Sequence, residues 1–129
     1  MAASIKFLQL NCHKSKAVTA NLRNELLKDY DVGLLQEPHT AYNDIYGLSG
    51  FQVLHAGNVD HRPRAAIVIR HGANIWFDNR FSDPDMVAAI LQYENRQIFI
   101  ASVYLDIQRN DVIPANMERL VEHLSLIHI

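Results

Sequence analysis

Three polar residues close apolar runs in this chain. Asn11 ends Ile5–Asn11, Glu37 ends Asp31–Glu37, and Tyr104 stands near the end of Ile98–Leu105. In an open α/β arrangement, the carboxyl ends of strands form the natural crevice. A carboxylate and an amide placed there can hold a hard divalent cation and a phosphate oxygen. Mg²⁺ is commonly bound by one or two carboxylates together with waters and substrate phosphates. A phenol such as Tyr104 can donate its hydroxyl to the same phosphate. Each residue also has a plainer reading. Asn11 can fold a local turn onto its own backbone, Glu37 can be a solvated strand end, and Tyr104 can be a packing residue with a wet hydroxyl.

Other side chains gather near these positions in sequence. His13 and Lys14 follow Asn11 and precede a helix, where a phosphate could meet both the side chains and the helix N-terminus; an exposed polar turn explains them as well. His39 follows Glu37-Pro38 and is a candidate for the same crevice, but no second histidine or cysteine lies at ligand spacing to make it a metal ligand. Cys12 reads as a small buried hydrophobe. No Ser/His/Asp triad, Walker loop or GxGxxG pattern is present. His61, Arg62, Arg64, Arg70 and His71 bracket the run Ala65–Ile69 and read equally as a DNA-facing patch or a solvated flank. Trp76 and Phe77 could wedge into a groove, although core or edge packing suits them better.

The elements that must position these residues follow from periodicity. Ile5–Asn11 reads as a strand, with Ser15 as a helix N-cap. Val18, Leu22 and Leu26 recur at helix-face spacing up to a stop near Tyr30. The apolar centre of Asp31–Glu37 predicts a strand buried on both faces, ended by Pro38, which lacks a backbone donor. Residues 38–50 read as a polar loop, Phe51–Ala56 as a strand, 57–63 as a second loop and Ala65–Ile69 as a β-branched strand. A short strand is expected near Ile75–Phe77. Met86–Tyr93 and Ile98–Leu105, around Glu94-Asn95-Arg96-Gln97, predict a hairpin. Pro114 opens a second helix with Met117, Leu120, Val121 and Leu124 on one face. This order predicts a sheet covered by helices on one face, with the first two strands parallel through a right-handed crossover.

Composition limits the possibilities. At 129 residues, with 49% hydrophobic and 20% charged, the chain matches a single globular domain and excludes disordered and fibrous classes. No long uncharged apolar run exists, so no membrane span is expected, and no secretory leader is visible. A lone cysteine suits a reducing, intracellular setting. The net charge of −2 is neutral on nucleic-acid binding, since a local basic surface suffices.

The combination Ile5-Lys6-Phe7-Leu8-Gln9-Leu10-Asn11-Cys12-His13-Lys14-Ser15, the helix after it, and Leu34-Leu35-Gln36-Glu37-Pro38-His39 resembles the endonuclease/exonuclease/phosphatase superfamily. Within it, the wording is similar to the apurinic-endonuclease-like domain at the N-terminus of non-LTR retrotransposon polyproteins. Arg64-Ala65-Ala66-Ile67-Val68-Ile69 and Ile100-Ala101-Ser102-Val103-Tyr104-Leu105 agree with it, and the resemblance covers nearly all of residues 4–124. It implies an α/β (α+β), DNase-like fold, a two-sheet β-sandwich flanked by helices, of which only the N-terminal part is present. It implies that Asn11 orients the scissile phosphate, that Glu37 binds Mg²⁺ and that Tyr104 hydrogen-bonds the phosphate. His13, Lys14, His39, Arg62 and Arg64 become candidates for contacts with phosphate or DNA. It further implies target DNA as substrate, a C-terminal reverse transcriptase domain in the parent protein, and action in the nucleus.

The departure lies beyond residue 105. The family carries a later Asp-x-Asn element and a C-terminal Asp-His pair, whereas Asp106-Ile107-Gln108 and Asp111-Val112-Ile113 lack the asparagine. Residues 1–124 are therefore expected to be an incomplete domain. Residues 125–129 are expected to be a non-native tail, because Leu124-Ser125-Leu126-Ile127-His128-Ile129 resembles translated adapter read-through. The truncation is expected to leave Ile67, Ile69 and Ile100 partly uncovered, favouring aggregation. Two rivals stand beside the endonuclease fragment. One is a fragment of another superfamily phosphodiesterase or phosphatase; the other is a non-enzymatic binding module.

Overall fold

The computed structural model describes residues 4–42, 44–45, 47–105 and 118–122. The first strand, β1 (Phe7–Asn11), leads into helix α1 (Lys16–Lys28). Ser15 starts the helix, its hydroxyl accepting the Val18 N–H at 3.2 Å. The helix returns the chain to β2 (Val32–Gln36), which pairs parallel with β1, as the crossover predicts. A small hairpin, β3 (Thr40–Ala41) and β4 (Asp44–Ile45), interrupts the expected loop at 38–50. β5 (Phe51–Leu54) and β6 (Ala65–Arg70) complete a four-stranded sheet of order β1-β2-β6-β5. A second sheet joins β7 (Asn74–Phe77), β8 (Met86–Tyr93) and β9 (Arg96–Val103) as an antiparallel meander.

The first sheet is covered on both faces, by helix α1 on one, as expected, and by the second sheet on the other. On one side, Leu35, Ala66 and Val68 pack with Leu22 of α1. On the other, Val32, Ala65, Ile67 and Ile69 meet Val87, Ala89, Leu91 and Ile100 of the second sheet. Residues Ala65–Ile69 are buried on both faces, so their continuous apolar run is the sequence signature of a central strand. The two sheets pack face to face as a sandwich. Ile67, Ile69 and Ile100 are 0%, 4% and 9% exposed, contrary to the expected uncovered patch, because β8 and β9 already cap that face.

Smaller differences have local causes. The β8–β9 register pairs Tyr93 with Arg96, so the turn is the two residues Glu94-Asn95, with Glu94 at a φ of 54°. Among the described residues β7 pairs with β8 alone, and on this strand Trp76 is 52% and Phe77 37% exposed. Residues 118–122 are helical; Leu120 packs on Phe81, Met86 and Ala88, but Val121 points outward at 54% exposure. Pro114, Met117, Leu124, Asp106, Asp111 and the tail at 125–129 lie outside the described residues. Among the described residues, no helix is long and apolar enough to cross a membrane.

One polar chain crosses the sandwich interior. The Gln9 amide donates to Gln36 Oε1, and the Gln36 amide donates to Ser102 Oγ at 3.0 Å. Ser102 Oγ donates to the Leu35 carbonyl at 2.7 Å. Among the described residues, every buried side-chain polar atom has a partner, which matters because an unsatisfied buried group typically costs about 1–3 kcal/mol.

Candidate functional site

Because β1 and β2 are parallel while β6 runs against β2, one end of the first sheet carries the end of β1, the end of β2 and the start of β6. Asn11 is in register with Gln36, and Gln36 with Ala65. The ladder then continues one step past the strands, the Glu37 N–H donating to the Arg64 carbonyl at 2.9 Å. In the second sheet Met86 pairs with Val103, and that ladder continues with the Tyr104 N–H donating to the Asp85 carbonyl at 2.8 Å. The Arg64 N–H donates to the Pro84 carbonyl at 2.6 Å, tying the two sheet ends together. Asn11, Glu37, Arg64, Asp85 and Tyr104 therefore belong to one end of the sandwich.

The backbone here is held in an uncommon shape. His13, Lys14 and Glu37 take φ values of 52°, 59° and 49°. A non-glycine residue in the left-handed region costs on the order of 1–3 kcal/mol and persists only where its surroundings impose it. At Glu37 the constraint is visible: its N–H is fixed by Arg64 and its carbonyl accepts the Lys14 N–H at 2.8 Å. The left-handed turn takes Glu37 out of the β2 alternation, and its half-buried side chain lines an open crevice of about 710 Å³. Asn11 makes the local turn, its Oδ1 accepting the His13 N–H at 2.9 Å.

Five of the eight residues nominated from sequence line this crevice: Lys14, Glu37, His39, Arg62 and Arg64. Asn11, His13 and Tyr104 stand at the same end without forming its wall. His39 is anchored through its backbone, whose N–H donates to Thr19 Oγ1 of α1 at 3.0 Å. The basic cluster does not form one patch. His61, Arg62 and Arg64 border the crevice, but Arg70 lies at the opposite end of β6, roughly 20 Å away at about 3.3 Å per residue. There it pairs with Asp31 at 3.9 Å. Cys12 is fully buried, and burial pushes its thiol above the usual range, so it is a poor nucleophile at neutral pH.

Asp85 was not nominated from sequence. Its carboxylate takes a two-pronged bond from Arg64, Nε to Oδ1 at 2.6 Å and Nη2 to Oδ2 at 2.7 Å. Above the same guanidinium, 4.6 Å from its central carbon, lies the centre of the Tyr104 ring. The available signal was the hairpin: once Met86 is set opposite Val103, Asp85 falls opposite Tyr104.

The loop carrying His61 and Arg62 is tightly closed. Asn58 Oδ1 accepts the N–H groups of Asp60 and His61 at 2.9 and 3.0 Å, and His55 Nδ1 accepts the Gly57 N–H at 3.1 Å. A Cβ on Gly57 would sit 2.4 Å from Pro63 Cδ and 2.7 Å from Pro63 N. Gly57→Ala is therefore expected to displace the loop and to destabilise the fold by about 1–3 kcal/mol, the usual cost of overpacking. Thermal unfolding of the variant measures this.

For a metal, Glu37 supplies a carboxylate at the crevice, which Asp60, Asp83 and Asp85 also line, Asp85 being held by Arg64. Among the described residues, no group of three or more His, Cys, Asp or Glu is arranged to hold an ion. That donor set fits Mg²⁺ bound largely through waters and substrate phosphates, and does not fit an all-protein cage.

No protein-family model matches the chain, and no curated protein matches it. Solved structures do. The endonuclease domain of TRAS1, a telomere-specific non-LTR retrotransposon, is similar with a TM-score of 0.72 and 20% identity, over 96% of this chain and 52% of that one. An endonuclease/exonuclease/phosphatase family protein from Leptotrichia buccalis C-1013-b is similar with a TM-score of 0.55 and 14% identity, over 92% and 61%. The chain thus shares the fold of these two structures over the part it covers, and it spans about half the length of the TRAS1 domain.

Proposed function

We propose that this chain is the N-terminal part of a Mg²⁺-dependent endonuclease that nicks target DNA for retrotransposon insertion. The observation that carries the reading is Glu37. A carboxylate is held in a left-handed turn at the shared end of two sheets, inside a fold matched over 96% of the chain by an endonuclease domain. Under this reading residues 1–124 are an incomplete domain, the parent protein continues into a reverse transcriptase, and its place of action is the nucleus.

Glu37 would hold the ion, which when bound polarises the phosphoryl oxygen and stabilises the leaving oxygen. The chain's own residues do the rest. Asn11 shapes the turn that brings Lys14 to the crevice, and its amide nitrogen remains available to orient a phosphate. Tyr104 offers its hydroxyl to that phosphate. Lys14 and Arg62, both exposed at the crevice, meet the DNA backbone, and His39 lines the same crevice.

Fluorescence anisotropy with a labelled DNA duplex across a salt series tests the reading. Each phosphate neutralised contributes about 0.9 to the slope of log affinity against log salt. Lys14→Ala and Arg62→Ala are each expected to lower that slope by about one contact and to weaken binding on all sequences alike. A Lys14/Arg62 double variant with an unchanged slope would refute the assignment of this crevice to DNA.

A further inference from the structure

Arginine at a phosphate-binding crevice is ordinarily read as a phosphate clamp, but the surroundings of Arg64 point elsewhere. Its planar fork is matched to the Asp85 carboxylate, which is only 11% exposed. The face of the same group covers the Tyr104 ring at 4.6 Å. Asp85 closes the circuit, because its carbonyl accepts the Tyr104 N–H at 2.8 Å. Through its own carbonyl, Arg64 also holds the Glu37 N–H at 2.9 Å. One residue thus touches Glu37 by its backbone and Tyr104 by its side chain, and these two belong to different sheets.

We propose that Arg64, locked by Asp85, is a positioning residue that fixes the direction of the Tyr104 phenol relative to Glu37 across the two sheets. This rests on the reading of Tyr104 as a phosphate ligand. A tyrosine ring has few torsions, so covering one face and fixing its backbone sets where the hydroxyl points. Only a planar guanidinium can chelate a carboxylate and stack on a ring at once. Lysine at this position keeps the charge and loses both geometries, so Arg64→Lys separates positioning from simple electrostatics.

The experiment has two arms on residues 1–129. The first records ring signals of ¹³C-tyrosine-labelled protein by NMR, in the unsubstituted chain, Arg64→Lys and Asp85→Asn. Tyr104 ring signals that shift in both variants, with the other tyrosines unmoved, support the proposal; unmoved Tyr104 signals overturn it. The second measures affinity for a labelled DNA duplex. Arg64→Lys is expected to weaken binding about tenfold, the worth of one lost charge-assisted hydrogen bond, and to cause no further loss in a Tyr104→Phe background. Equal losses in both backgrounds would mean a merely structural Arg64 and overturn the proposal. If Tyr104→Phe alone leaves affinity unchanged, the phosphate reading of Tyr104 fails, and the NMR arm alone decides whether Arg64 positions the ring.

Discussion

Supercoiled plasmid incubated with residues 1–129 and Mg²⁺ is expected to stay supercoiled, even where the same protein binds the duplex. Under the proposed function, Glu37, Asn11 and Tyr104 can hold an ion and a phosphate. Hydrolysis also needs a water that is deprotonated and aimed. The resemblance assigns those tasks to an Asp-x-Asn element and an Asp-His pair. After Leu105 the sequence offers Asp106-Ile107-Gln108 and Asp111-Val112-Ile113 instead. General acid–base assistance alone typically contributes roughly 10²–10⁴-fold, enough to take a slow nuclease below detection in a plasmid assay. A chain carrying those elements downstream should nick with Mg²⁺ and lose the activity in Glu37→Ala. Mg²⁺-dependent nicking by residues 1–129 that disappears in Glu37→Ala would refute this and make the chain a self-sufficient nuclease.

Much of this arrangement was legible because local rules and tertiary demands agree. Ser15 caps a helix in sequence and in space, Ala65–Ile69 is too apolar to be anything but a central strand, and Met86–Val103 folds back on itself as a hairpin. Strand ends at Asn11 and Glu37 mark one end of the sheet for the same reason: an apolar run that stops on a polar group marks where the sheet meets solvent. What stayed hidden depends on register and on backbone shape. Asp85 becomes a partner of Arg64 only after two sheets stack, and no local pattern announces that stacking. The left-handed turn at Glu37 is imposed by Arg64 and Lys14 from distant segments, against the residue's own preference. The basic cluster was misleading because sequence proximity on a strand hides a separation of roughly 20 Å between its ends. The truncation suggested uncovered Ile67, Ile69 and Ile100 because it removes further strands of the second sheet, but the residues of β8 and β9 are enough to cover them.

That covering makes the second large effect a matter of stability. Ile67→Ala is expected to destabilise the fold by about 2–5 kcal/mol, the range for removing a buried isoleucine side chain. Ile67 is completely buried at the centre of β6, paired with Leu34 on β2 and Leu54 on β5. Its side chain enters the layer shared with Val87, Ala89, Leu91 and Ile100. Ala65 and Ala89 in the same cluster bring the backbones close, so the cavity left by the truncation lies in a tightly packed layer. Domains of this size are stable by about 5–15 kcal/mol in total, so the loss is a large share of the margin. Urea unfolding should show a lower midpoint with an unchanged slope, the mark of altered stability rather than altered denatured-state compactness. Val59→Ala, at a position 87% exposed, serves as the contrast and should shift stability by less than about 0.5 kcal/mol. An Ile67→Ala midpoint no lower than that of Val59→Ala would mean that the two sheets do not pack as described. The linkage of Glu37 to Tyr104 through Arg64 would then lose its support too, since it exists only where the sheets meet.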